Sequence, residues 1–158
     1  MNKKSLIWLI GMPGCGKSTI GRILSEKLKK SFYDADEYFT GRFEKTPEEY
    51  INDFGETAFR QREAEALKEL SFLSDCIIAC GGGVVEIAEN RDVIKNSGIV
   101  IYIKRDIDKL AVNGRPVSKK LGVETIYERR HILYEEWCDR SVNNDEINDC
   151  VNSLIMTL

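Results

Sequence analysis

The segment Leu6-Ile7-Trp8-Leu9-Ile10-Gly11-Met12-Pro13-Gly14-Cys15-Gly16-Lys17-Ser18-Thr19 decides the fold of this 158-residue chain. Five consecutive apolar residues ending in glycine read as a buried strand. Gly11 to Ser18 then fit G-x-x-x-x-G-K-[ST], and Ile20, Ile23, Leu24 and Leu28 recur behind it at helical spacing. Strand, glycine-rich loop and helix in that order are the context the motif requires. Gly11, Gly14 and Gly16 let backbone amides, including that of Cys15, converge on phosphate oxygens, and the positive end of the helix favours an anion. Lys17 is expected to bridge the terminal phosphates of a nucleotide, and the Ser18 hydroxyl to ligate Mg²⁺. Thr19, one residue further, is in reach of the α-phosphate. The same loop serves kinases, GTPases and motor ATPases, so it predicts nucleotide binding and leaves the reaction open.

Charge supports a local anion site rather than a nucleic-acid surface. The net charge is -3, yet residues 1–30 hold seven Lys/Arg against one acid, and residues 31–75 hold five against twelve. The five cysteines (Cys15, Cys76, Cys80, Cys138, Cys150) form no C-x-x-C pair, and the lone His131 has no cysteine pair at ligand spacing. Free thiols of this kind suit a reducing, cytoplasmic setting. The apolar run Leu6–Ile10 is too short for a signal peptide, and no run approaches the ~18 residues of a membrane span.

Outward from the loop, short apolar runs alternate with helical patterns, the pattern of a single α/β domain over residues 1–158 with a parallel sheet. Phe32-Tyr33-Asp34 reads as a second strand. Thr46-Pro47-Glu48-Glu49 is a capping box with proline at the first helical position, closed by Gly55. Glu56 to Leu73 reads as the next helix, with Phe59, Ala66, Leu70 and Leu73 on one stripe. Cys76–Cys80 is a third strand ending in Gly81-Gly82-Gly83, and Ile99–Ile103 a fourth, followed by a short helix near Ile107–Ala111. Residues 112–121, basic and broken by Gly114 and Pro116, read as a lid loop. A helix over Val123–Cys138, a short strand at Ser141-Val142 and a closing helix through Ile147, Val151, Leu154, Ile155 and Leu158 complete the chain.

Several polar residues fall where such a sheet opens onto its ligand crevice. Asp34 and Asp36 lie at the end of the second strand, and alternation in an extended segment puts both on one side. One suits Mg²⁺ and its waters and the other an acceptor hydroxyl; a helix cap and a solvated turn are the alternative. Arg130 shares its helix face with Ile126, Leu133, Tyr134 and Trp137, so its stem runs inward and its charge needs a partner. That partner is either an internal carboxylate such as Asp34 or Glu63, or a substrate carboxylate held bidentately. Arg60 is less clearly inward, and reads either as an exposed helix charge or as a second contact to the substrate carboxylate. Gly81, Gly82 and Gly83 give backbone close access to a ligand. Arg115, in the lid, is placed to neutralise charge on a transferring phosphoryl group, or is a solvated loop charge.

Taken in order and spacing, these residues resemble the shikimate kinase family along the whole chain. The resemblance lies in GMPGCGKSTIGRxL, the aspartates of FYDAD, GExxFRxxE at Gly55–Glu63, the glycine triplet, the Arg115-Pro116 lid and R-x-x-L-Y from Arg130 to Tyr134. It implies a three-layer P-loop kinase fold: a five-stranded parallel sheet of order 2-3-1-4-5, helices on both faces and a mobile lid. It also implies transfer of phosphate from MgATP to the 3-hydroxyl of shikimate, on the way to chorismate and the aromatic amino acids; small size and no evident exposed apolar helix point separately to a monomer. Position by position, Asp36, Arg60, Gly82 and Arg130 match the family's shikimate contacts, with Gly81 and Gly83 beside them. Lys17 and Arg115 match the phosphoryl-stabilising pair, and Ser18 and Asp34 the magnesium environment.

The chain departs from that pattern in three places. Ile132 stands where the family often has proline. The lid between Leu110 and Arg115 is short and lacks the arginine that stacks on adenine, which shifts base binding to Arg140–Asn144 or to lid backbone. Cys80 replaces a small hydroxyl residue, and Cys15, at a helix N-terminus that activates thiols, predicts thiol sensitivity. The competing functions are a gluconate or nucleotide kinase of the same fold and a nucleotide-binding regulator without catalysis. Lys17, Asp36 and Arg115 speak against the last of these.

Overall fold

Strand β1 (Leu6–Ile10) is buried at all five positions because it forms the middle of the sheet. It pairs in parallel with β3 (Cys76–Ala79) on one side and β4 (Gly98–Lys104) on the other. Strands β2 (Ser31–Asp34) and β5 (Arg140–Asn143) form the two edges, giving the order β2-β3-β1-β4-β5. The expected strand order and three-layer α/β architecture are therefore what the computed structural model shows; it describes residues 5–110 and 117–158. Register places Asp34 opposite Ala79, and Ala79 opposite Leu9, so the three strands that feed the site end level with one another.

Seven α-helices are present among the described residues: α1 (Lys17–Leu28), α2 (Ala35–Phe43), α3 (Pro47–Phe54), α4 (Glu56–Leu70), α5 (Glu89–Ser97), α6 (Val117–Trp137) and α7 (Ile147–Thr157). Helix α1 packs on β3 and α7, while α5 and α6 pack on β4. The centre of the core is aliphatic, with Leu9, Ile10, Ile20, Leu24, Ile77 and Ile101 all fully buried. Trp8, also fully buried, donates its indole N–H to Ser97 Oγ at 3.0 Å, which fastens the end of α5 to the sheet without stranding a polar atom. Burying such a side chain contributes about 1.5–3 kcal/mol.

The capping box at α3 forms as read: Glu49 N–H donates to Thr46 Oγ1 at 3.1 Å, and Thr46 N–H to Glu49 Oε1 at 3.0 Å. Two helices carry no counterpart in the sequence reading. Helix α2 begins directly after β2, so Asp36 is helical rather than extended, and α5 follows the glycine triplet. Helix α4 stops at Leu70, short of Leu73. The expected lid boundary also moves, because residues 117–121 belong to α6. Residues 112–116 of that lid, Arg115 among them, lie outside the described residues.

Candidate active site

The phosphate loop joins β1 to α1 with Gly16 at the helix N-cap, in the left-handed region at φ 98°. A side chain there would be strained, and its Cβ would meet Asn144 Nδ2 at 2.5 Å. Asn144 is itself buried, and its amide donates to the Cys15 carbonyl at 2.8 Å. This residue, at the end of β5, props the loop from beneath. Cys15 is 0% exposed and belongs to the core, so its thiol faces away from the cleft, contrary to the exposed position that the expected thiol sensitivity requires. Cys80 is likewise buried, and burial pushes its thiol pKa up. Ile132, in contrast, is exposed on α6.

Lys17 is buried at 8% exposure, and its Nζ donates to the Gly11 and Met12 carbonyls at 2.8 and 3.0 Å. Its charge is thereby fixed at the floor of the loop. Ser18 donates its hydroxyl to Asp34 Oδ2. The other oxygen of Asp34 accepts from the backbone of Asp36 at 2.9 Å and of Glu37 at 3.1 Å, capping α2. Asp34 thus serves as both the helix cap and the loop's partner, two roles read from the sequence as alternatives.

Asp36 occupies the first turn of α2. Together with Lys17, Ser18, Asp34, Gly14, Gly16, Gly81 and Gly82 it lines one cleft of about 370 Å³, whose rim includes the exposed Thr19. Asp36 remains open to solvent at the cleft, yet enclosure by surrounding protein raises its pKa and the neighbouring Asp34 charge adds to the rise, while Lys17 and Arg60 pull it back. A carboxylate poised above the usual range, facing the phosphate loop, suits proton acceptance from a hydroxyl.

Beyond the glycines lies a charged cluster. Arg60 donates to Glu63 at 3.0 Å and lies 3.5 Å from Glu56, so it is turned inward and paired rather than exposed. Burial raises the Glu63 pKa, while Arg60 and Arg130 lower it. Arg130 is buried on α6, as its helix face predicts, and its carboxylate neighbour is Glu86 at 3.7 Å rather than Asp34 or Glu63. Both guanidiniums carry a buried Nε without a hydrogen-bond partner among the described residues, and Arg60 lies near enough to Asp36 to lower its pKa.

The glycine triplet is shaped by its neighbours. A Cβ on Gly81 would meet Asp36 Oδ1 at 2.9 Å, one on Gly82 would meet Pro13 Cδ at 2.6 Å, and one on Gly83 would strike the Arg60 guanidinium. Tyr134 donates its hydroxyl to the Gly82 carbonyl at 2.5 Å, holding the triplet to α6. The structure therefore gathers Gly14, Gly16, Lys17, Ser18, Thr19, Asp34, Asp36, Gly81 and Gly82 around one cleft, with Arg60 against Gly83, Arg130 beside Glu86, and Cys15 packed in the core beneath the loop. Sequence reading missed Glu86 and the propping role of Asn144. Glu86 follows two apolar residues that bury, Val84 and Val85, and that was its available signal.

The strand order and a phosphate loop facing a carboxylate-and-arginine cluster define a P-loop small-molecule kinase, a transferase. The shikimate kinase family model matches residues 13–158. Curated relatives described as shikimate kinase include one from Clostridium beijerinckii, 42% identical over 96% of this chain and 93% of its own. Another, from Clostridium botulinum, is 40% identical over 90% and 89%. A solved shikimate kinase from Acinetobacter baumannii in complex with shikimate has a TM-score of 0.90 at 27% identity, covering 98% of this chain and 92% of that one. One from Aquifex aeolicus has a TM-score of 0.80 at 28% identity, covering 96% and 95%. The chain belongs to the shikimate kinase family.

Proposed function

We propose that the chain transfers the γ-phosphoryl group of MgATP to the 3-hydroxyl of shikimate, giving shikimate 3-phosphate and ADP on the route to chorismate. The observation that carries this reading is geometric: Asp36 shares its cleft with Lys17 of the phosphate loop, and at Gly81 it lies beside Glu63, the partner of Arg60. One carboxylate therefore stands between the two substrates' charged ends. Arg60 and Arg130 grip the carboxylate of shikimate, and the Gly81–Gly83 backbone lies against its ring. Asp36 orients the 3-hydroxyl and takes its proton. Lys17 offsets charge on the transferring group, and Arg115 supplies a second cation. Gly14, Cys15 and Gly16 present amides to the phosphates, with Thr19 at the α-phosphate.

Ser18 and Asp34 fit a magnesium site, because two hydrogen-bonded oxygens at the cleft wall suit a hard cation that keeps most of its waters. When bound, Mg²⁺ neutralises the β- and γ-phosphate oxygens. The reading includes a single domain over residues 1–158, acting as a monomer in the cytoplasm. Among the described residues no helix is long and apolar enough to cross a membrane.

The test is coupled measurement of ADP release with shikimate, gluconate or a nucleoside monophosphate as acceptor. Release that depends on shikimate alone is expected. Dependence on another acceptor, or ATP binding with no acceptor-dependent release, overturns the proposal.

A further inference from the structure

Glu86 belongs to none of the motifs that carry the family resemblance, yet two consecutive arginines of α6 converge on it. Arg129 grips both of its oxygens, Nε to Oε1 at 3.2 Å and Nη2 to Oε2 at 2.8 Å. Arg130 approaches the same Oε1 only to 3.7 Å, and its Nε makes no hydrogen bond among the described residues. The exposures differ as sharply: the side chain of Arg129 is 57% exposed, that of Arg130 9%. A buried guanidinium needs compensating charge nearby. A carboxylate that closed fully on it would satisfy it and block a substrate.

We propose that Arg129 is a positioning residue which restrains Glu86. Its two-point grip keeps the carboxylate near enough to balance the buried charge of Arg130, but off that residue's hydrogen-bonding edge. Arg130 is thereby left free for the carboxylate of the acceptor. The proposal rests on the reading of Arg130 as an acceptor contact. Released from Arg129, Glu86 needs to travel only about 1 Å to reach the ~2.7–2.9 Å of a charge-assisted hydrogen bond with Arg130. It then competes with the substrate from inside the protein.

Arg129→Gln is expected to raise the acceptor KM about tenfold, the effect of losing one charge-assisted hydrogen bond. The kcat and the ATP KM are expected to stay within about twofold, the margin of an exposed change distant from the loop. Adding Glu86→Gln to that variant removes the competitor and is expected to bring the acceptor KM back to within about twofold of the parent, the two changes being coupled. Calorimetric titration with the acid and with its neutral carboxamide separates charge competition from loosened structure, because only the acid weakens under competition. An unchanged acceptor KM in Arg129→Gln, or a double variant as weak as the single one, overturns the proposal. Arg130→Ala run in parallel identifies the other failure: an unaltered acceptor KM there sinks the reading of Arg130 itself.

Discussion

Gly83→Ala separates folding from function at a single methyl group. Gly83 has φ -91° and ψ 10°, which alanine adopts without strain. Its backbone face is nevertheless filled by Arg60: an added Cβ would lie 2.5 Å from Nη1 and 2.7 Å from Cζ. Ordinary carbon contacts are about 3.5–4.0 Å, so the guanidinium must retreat by about 1 Å. The atoms that yield are the end of a flexible side chain, and the fold can accommodate this. Replacing glycine at a compatible conformation stabilises by about 0.4–1 kcal/mol through the unfolded chain, and that offsets a weakened bond from Arg60 to Glu63. The net change in stability should lie within about 1 kcal/mol, or some 2–4 °C in Tm for a chain of this size. Function is less tolerant. A clamp misplaced by 1 Å costs about 10²-fold, so kcat/KM for shikimate should fall between ten- and a hundredfold on the order of that figure. The ATP KM should hold. Coupled ADP release with each substrate varied in turn, beside a thermal melt, gives all three quantities. Parental kinetics toward the acceptor would refute the assignment of Arg60, and a fall in Tm of about 10 °C or more would refute the claim that the clash is absorbed by a side chain.

Gly82→Ala should behave differently, because its Cβ would meet the rigid Pro13 ring at 2.6 and 2.7 Å and the Pro13 nitrogen at 3.1 Å. The phosphate loop itself must move, so the ATP KM should rise about tenfold or more, and the melt should show a loss of about 1–3 kcal/mol. Asn144→Ala strands the buried Cys15 carbonyl; denaturant unfolding should report about 1–3 kcal/mol lost, with the ATP KM raised and the shikimate KM unchanged. Asp36→Asn should abolish turnover yet raise Tm at pH 7. The native pKa of Asp36 lies above its unfolded value, so the folded state binds the proton more tightly. Stability from this group therefore falls as pH climbs from about 3.9 through the raised value, and the asparagine variant escapes that loss. Melts compared at pH 7 and near pH 3 should show the advantage only at the higher pH. In the parent enzyme, the acid limb of kcat/KM against pH should lie above the ordinary aspartate range.

The parts of this fold legible in the sequence are those whose signals are local and redundant. Strand β1, the loop and α1 combine an apolar run, spaced glycines and helical periodicity, and α3 declares itself through Thr46, Pro47 and Gly55. Helices α2 and α5 lack that redundancy. In α2 only Phe39 is buried, and in α5 the buried positions are Asn90, Ile94 and Ser97, so neither shows an apolar stripe. The N-cap of α2 was present as Asp34, followed by acids at positions 36 and 37, but the same residue also ends a strand and faces Ser18. At the site, the residues proposed to touch ligands sit in recognisable motifs, whereas those that hold them in place do not. Asn144 lies 129 residues from the carbonyl it supports, and Glu86 lies 43 residues from Arg129. Such pairings arise only when the sheet is assembled.

The level ending of β2, β3 and β1 carries an evolutionary and engineering consequence. Neighbouring strands are separated by about 4.8 Å, so the sheet acts as a ruler whose three marks launch the aspartate turn, the glycine triplet and the phosphate loop. Insertions farther out, past the helices that these turns open, leave the marks untouched. A single deletion inside β3, by contrast, would turn every later side chain of that strand to the opposite face and pull the triplet away from Pro13 and Arg60 together. Variation in this molecule is cheap at the rim and prohibitive along that one row.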